Sequence, residues 1–205
     1  MSHSISVVVP THRRPESLER CLRGLAGQTL TPREVVVVHA KADHETPAII
    51  EGRAGVRALV VESASLVAGM AVGAAATSGE IICFTDDDAV PHPDWLTRIS
   101  SAFADPSVGA VGGRDAQPGV EPRRGVVVGD LGRWGKLHGN HRVGAGAPRD
   151  VDVLKGVNIG RSGALDDRHR SRERGEELLG AWVVARLRVK PSRASAQCEW
   201  NVTEP

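Results

Sequence analysis

Four short apolar runs constrain the fold more than any other feature of this chain. They read ISVVVP at 5–10, EVVVV at 34–38, VRALVVE at 56–62 and EIICFT at 80–85. Runs that are apolar on both sides, short and rich in β-branched residues are strands buried on both faces. Helical periodicity fills the gaps. From Pro15, the residues Leu18, Cys21, Leu22 and Leu25 fall on one helical face, with Pro15 suited to the first turn and Gly27 near the end. Segment 66–78 sets Leu66, Met70, Ala71, Ala74 and Ala75 in helical register before Ser78-Gly79. Asp94 is expected to cap a helix with Trp95, Ile99 and Phe103 on its apolar face, ended by Asp105-Pro106. VGAVGG at 108–113 is a further short strand. The first 112 residues therefore alternate strand and helix, which predicts an α/β fold with a largely parallel sheet. Such sheets take ligands at the carboxyl ends of their strands. Thr11, His39 and Asp86 to Asp88 all follow strand ends.

The remainder is less regular. Residues 113–150 are rich in Gly, Arg and Pro and read as a long loop, with one edge strand at GVVVG. VDVLKGVN at 151–158 resumes strand character. Segment 161–174 is dense in charge, and 176–189 is expected to form a helix presenting Leu178, Leu179, Trp182, Val183 and Leu187. Past Lys190 no pattern is visible, and disorder is expected.

Charge and composition exclude some classes. The 26 basic and 25 acidic side chains nearly cancel, so no nucleic-acid partner is expected. No run approaches the roughly 20 apolar residues of a membrane helix. The N-terminus lacks the basic region and long apolar core of a signal peptide. Cys21, Cys83 and Cys198 lie far apart with no CxxC pair, so a reducing cytoplasm is expected, with Cys21 and Cys83 as small core residues.

The fourth apolar run ends in Asp86, Asp87 and Asp88. Three adjacent carboxylates repel one another and extend a strand poorly. Side-chain alternation puts Asp86 and Asp88 on one side of an extended chain. A strand that delivers acids to a sheet edge suits a hard cation, Mg²⁺ or Mn²⁺, and with it a diphosphate. A solvated acidic turn is the plain alternative. An EF-hand is excluded, because its spaced ligands, Gly and closing Glu are missing.

Four segments in order carry a resemblance: SVVVPTHRRPESLERCLRGLAGQTLTPREVVVV, GAAATSGEIICFTDDDAVPHPDWL, FADPSVGAVGGR and VDVLKGVN. Together they resemble the family 2 glycosyltransferases over roughly residues 4 to 160, with the DDD segment, matching a DXD motif, as the most specific part. The resemblance implies a Rossmann-like GT-A fold over residues 1–160, with the nucleotide-sugar half reaching to about 113. It implies inverting transfer of a sugar from a nucleotide-diphosphate donor to an acceptor hydroxyl, with Mg²⁺ or Mn²⁺. The acceptor would be a glycan, a lipid-linked molecule or a small molecule. By position, Pro10 and Thr11 would contact the nucleotide. Arg13 and Arg14 would reach base or phosphate, or lie solvated. Asp86 would face ribose or metal, Asp87 the donor sugar region and Asp88 the metal. Gly156, Val157 and Asn158 would lie near the donor sugar and acceptor.

Departures from the family pattern bear on activity. His39 stands where an Asp usually reads the base, and Met70-Ala71 stand where Arg-Asn is usual. The family's general base comes from an acidic pair after the Asn158 region. Glu176 and Glu177 are the candidates, with Asp166-Asp167 second, although acids in a first helical turn ordinarily complement the dipole. Residues 161–205 look atypical, as a truncated or frame-altered end would, so the C-terminal part of the fold is expected to be incomplete. An incomplete acceptor half would expose a sheet edge and favour a homodimer. The expected location is the cytoplasm, or peripherally the inner face of the membrane. Two alternatives stand beside transfer: a remnant that binds nucleotide or nothing, and a nucleotidyltransferase, whose Gly-rich loop is absent from PTHRRPE.

Overall fold

The computed structural model describes residues 3–62, 65–146, 149–155, 158–162 and 199–202. Its main elements are β1 (Ile5–Pro10), α1 (Pro15–Ala26), β2 (Glu34–Ala40), α2 (Thr46–Ile50), β3 (Val56–Val61), α3 (Leu66–Ala75) and β4 (Ile81–Phe84). Then come β5 (Ala89–Pro91), α4 (Trp95–Ala102), β6 (Ala110–Gly112) and β7 (Arg114–Ala116). Four two-residue strands follow: β8 (Arg123–Arg124), β9 (Asp130–Leu131), β10 (Leu137–His138) and β11 (Gly144–Ala145). The last strands are β12 (Ile159–Ser162) and β13 (Glu199–Val202).

The central sheet runs β3-β2-β1-β4-β12-β6. β1 to β4 are mutually parallel where they pair, and β12 is antiparallel to both β4 and β6. Strand alternation divides its side chains into two cores. Ile5, Val7, Val9, Val35, Val37, Ile81 and Cys83 face α1 and α4, where Leu18, Leu22, Leu25, Trp95 and Ile99 meet them. Val8, Val36, Val38, Ile82 and Phe84 face the other way, against Ala74 and Met70 of α3. Each fully buried Val or Leu contributes about 1.5–3 kcal/mol. That explains why β1, β2 and β4 are apolar on both faces; β3, expected to be buried likewise, lies at the sheet edge, where Ala58 and Val60 are exposed. α3 comes unusually close: a Cβ on Gly73 would stand 2.4 Å from Val8 Cγ1.

At the amino end of the sheet, Glu34 gathers polar groups from three elements. It accepts from Ser6 Oγ at 2.9 Å, from Ser78 N at 2.8 Å and from Arg57 Nε at 2.9 Å. Burial works to raise its pKa, but these hydrogen bonds outweigh it and hold the carboxyl at about 2.

The structure departs from the sequence expectation at several places. Asp94 occupies the cap position of α4 but makes no capping bond. Its carboxylate is taken by His92 Nδ1 at 2.5 Å and Arg98 Nε at 2.7 Å, which outcompete the backbone. GVVVG forms no strand: Gly125 and Gly129 adopt positive φ, and Gly129 instead binds the backbone of His138, Asp152 and Val153. Residues 151–155 stay off the ladder, and the strand begins only at Ile159, after Asn158 turns the chain at φ +60°. Beyond Lys190, where disorder was expected, Glu199–Val202 pairs between β5 and β7 and satisfies two short edges.

Candidate functional site

β1 and β4 are adjacent and parallel, so their carboxyl ends bring Thr11 and the acidic run to one edge. The Thr85 amide reaches the Val8 carbonyl at 3.2 Å, which keeps the chain in line until the acids begin. Thr11 donates its amide to Val38 O at 2.9 Å and its hydroxyl to Asp87 Oδ2 at 2.7 Å. Arg14, just before α1, sets one guanidinium nitrogen 3.2 Å from both Asp87 Oδ1 and Asp88 Oδ2. Asp87 is buried while Arg14 is largely exposed, so water screens this ion pair from one side.

Asp86 is half-buried, and no described residue donates a hydrogen bond to its carboxylate. Burial, and after it the charge of Asp88, push Asp86 up to about 6, with Lys155 opposing. Burial also raises Asp87, against the Thr11 hydrogen bond and Arg14. The cluster thus holds more negative charge than its surroundings neutralise. A divalent cation with oxygen preference fits that excess at Asp86 and Asp88. Among the described residues, no three His, Cys, Asp or Glu side chains converge as a complete ligand set. Mg²⁺ commonly takes only one or two protein carboxylates, with phosphate and water completing the shell.

Behind Asp86 lies a second charged pair that the sequence reading missed. The Lys155 ammonium binds the buried carboxylate of Asp115. Beyond Lys155 opens a cavity of about 380 Å³ lined by Asn140, His141, Arg142, Val143 and Lys155. Burial holds His141 below the usual imidazole range, with Asp115 opposing and Lys155 assisting. Lys155 lies within VDVLKGVN, and nothing local in sequence pairs it with Asp115, 40 residues away.

The other candidate residues are placed as follows. Pro10 ends β1 opposite Val38. The guanidinium of Arg13 is exposed, and its amide donates to Asp43 Oδ2 at 2.7 Å. Asp43 also accepts from the backbone of Glu45 and Thr46 and from the Thr46 hydroxyl, so it ties the loop after β1 to the loop after β2. Those bonds outweigh burial and lower its pKa. His39 is buried; its Nδ1 lies 3.1 Å from Ala40 O, and its Nε2 is buried with no hydrogen-bond partner among the described residues. Asn158 is buried, and its amide donates to Phe84 O at 3.1 Å, just before the acidic run. It accepts from Trp95 Nε1 at 3.0 Å and donates to Arg114 O at 3.4 Å, joining α4 to β7. Glu176, Glu177, Asp166, Asp167, Gly156 and Val157 lie outside the described residues.

Comparison with known proteins agrees with this fold. The sequence profile of the family described as Glycosyl transferase family 2 matches residues 6–153. Glycosyltransferase AglE of Haloferax volcanii is 29% identical over 116 residues, 53% of this chain and 38% of that protein. O-antigen biosynthesis protein RfbC of Myxococcus xanthus is 33% identical over 135 residues, 62% of this chain and 11% of that protein. The chain thus spans well under half the length of these curated relatives. Among solved structures, the mannosyltransferase PcManGT of Pyrobaculum calidifontis, in complex with GDP-Man and Mn²⁺, superposes with a TM-score of 0.58 at 20% identity, covering 82% of this chain and 47% of that one. S. aureus TarS superposes with a TM-score of 0.63 at 16% identity, covering 98% of this chain and 58% of that one. These likenesses show a GT-A fold. With the profile matching well over half of its residues, the chain belongs to glycosyl transferase family 2.

Proposed function

We propose that the chain transfers a sugar from a nucleotide-diphosphate donor to an acceptor hydroxyl, with a divalent cation and with inversion at the anomeric carbon. One observation carries the reading: Thr11, Arg14 and the three carboxylates meet at the carboxyl edge of β1 and β4, with Asp86 held unneutralised. Asp86 and Asp88 would hold Mg²⁺ or Mn²⁺, which when bound neutralises charge on the departing diphosphate. Thr11 and Arg14 fix Asp87, and so fix the acidic turn before any ligand arrives. Arg14 also supplies positive charge beside the phosphates. His39 is assigned to the base. Its Nδ1 faces a carbonyl and so carries the proton, which leaves Nε2 as an acceptor. Nε2 is buried, so the His39 ring would have to turn outward before it could accept from a base N–H. Inversion needs a carboxylate base opposite the leaving group, for which Glu176 and Glu177 are the sequence candidates.

The acceptor arrives from the side of Lys155 and the cavity, and a lipid-linked acceptor is compatible with a peripheral membrane location. Among the described residues no helix is long and apolar enough to cross a membrane. The open edge of β3, with Val60 exposed, is the surface that supports a homodimer. The test is calorimetric titration with UDP and GDP, each with and without Mn²⁺, repeated on Asp88→Ala. Metal-dependent binding that the substitution removes is expected. Binding indifferent to both metal and Asp88 overturns the reading.

A further inference from the structure

The largest exposed apolar side chain among the described residues lies outside the acidic edge. Trp134 is 95% exposed, at the tip of the hairpin formed by β9 and β10. Its backbone is left-handed at φ +68°, a conformation bulky residues rarely adopt. Leu131 and Leu137 are directly opposed across the hairpin, 39% and 53% exposed, and therefore on one face. Asp130 and His138 are opposed on the other face. Val127, also exposed, precedes the hairpin by three residues.

The charges around this apolar tip are biased. Arg133 and Lys136 flank Trp134. Between residues 117 and 149 the chain has Arg123, Arg124, Arg133, Lys136, Arg142 and Arg149 against Glu121 and Asp130, although the whole chain is nearly neutral. Asp150 and Asp152 follow just beyond; Asp150 is exposed, whereas Asp152 is engaged at the hairpin base, accepting from the Leu131 amide at 2.9 Å. The base is fixed while the tip projects. Gly129 N donates to His138 O at 2.7 Å, its carbonyl accepts from Asp152 and Val153, and Asn140 Nδ2 donates to Val127 O at 2.8 Å.

An exposed Trp with Leu on one face and Arg and Lys beside it matches the interface of an anionic bilayer. Indole sits at headgroup depth, and basic side chains reach lipid phosphates while their stems lie on apolar surface. We infer that the β9–β10 hairpin docks this protein on an anionic lipid surface. The strand leaving the hairpin runs directly into Asn140–Val143, the wall of the cavity beside Lys155 and Asp86. Docking by the tip therefore brings a lipid-borne acceptor to the acidic edge, a consequence that rests on the proposed transferase reading. The docking itself does not need that reading.

The test is co-sedimentation of the full chain with vesicles of phosphatidylcholine alone and of equal parts phosphatidylcholine and phosphatidylglycerol, at low and high salt. Binding to the anionic vesicles that weakens with salt is expected. Trp134→Ser should weaken partitioning about tenfold, equivalent to about 1.4 kcal/mol of lost contact. Arg133→Glu with Lys136→Glu should remove the preference for phosphatidylglycerol. Failure of the folded chain to bind either vesicle, or binding untouched by Trp134→Ser, overturns the inference. So does self-association in the ultracentrifuge that Trp134→Ser abolishes, because a second copy would then cover the tip. Nucleotide titration separates the two proposals. Trp134→Ser should keep nucleotide binding, whereas a chain that binds vesicles but no nucleotide retains the docking and loses the transferase reading.

Discussion

Thr11 and Asp87, 76 residues apart in sequence, share a 2.7 Å hydrogen bond that ties the end of β1 to the acidic turn after β4. Both side chains are buried, so neither finds a ready substitute in water. Thr11→Val keeps the shape and removes the donor. We expect it to cost about 1–3 kcal/mol of stability, the range for a buried acceptor left unsatisfied. Thr11→Ser should restore most of that. Denaturant midpoints of the two variants check this, and equal midpoints would show that the bond contributes nothing.

Asp86 pulls the other way. Its folded pKa of about 6 is above the ordinary 3.8, so the folded state binds its proton more tightly. The stability it contributes is complete below pH 3.8 and is lost as pH rises through 6. At neutral pH its charge is therefore a cost. Asp86→Asn, without added metal, should stabilise the fold at pH 7.5 by about 1–2 kcal/mol, less than the full shift because the group is partly solvated. The same variant should lose metal-dependent nucleotide binding. A lower melting temperature than wild type would contradict this.

Glu34 has the opposite sign. Its folded pKa of about 2 lies below the ordinary 4.5. Its contribution is present above pH 4.5 and disappears as pH falls toward 2. Glu34→Gln should lower stability at pH 7 on the order of 2 kcal/mol and flatten the acid limb of a stability–pH profile. An unchanged acid limb would remove Glu34 from the account.

Gly69 and Gly73 should respond differently to alanine. At Gly69 an added Cβ meets only ordinary contacts, 3.5 Å from Pro10 Cβ. Helix propensity then dominates, and Gly69→Ala should stabilise by about 0.5–1 kcal/mol. At Gly73 the added Cβ would stand 2.4 Å from Val8 Cγ1 in a packed core. Overpacking then dominates, and Gly73→Ala should destabilise by about 1–3 kcal/mol. Thermal melts of the two variants moving in the same direction would refute this contrast.

The candidate site was partly legible in the sequence. The acidic run and Thr11 stood out because each ends an apolar strand, and strand ends of a parallel sheet share an edge. Asp115 and Lys155 carried no such mark. Their pairing depends on how β7 and the chain before β12 fold back, which no local pattern encodes. Asn158 stood out only through its place in a motif; the tertiary fold sets its side chain against Trp95 and its amide on Phe84 O, just before the acidic run. Trp134 drew no notice, because an exposed indole and a buried one look the same in sequence.

The sequence by itself determined the four parallel strands, the faces of α1 and α4 and the position of the acids. These follow from local periodicity, and periodicity is a property of neighbouring residues. Only the tertiary structure decided which charges would be neutralised. Thr11 and Arg14 reach Asp87, Lys155 is taken by Asp115, and Asp86 is left with its charge in a half-dry place. That outcome depends on distance and burial between residues far apart in the chain, because electrostatic energy is set by separation in space and by the dielectric between the groups.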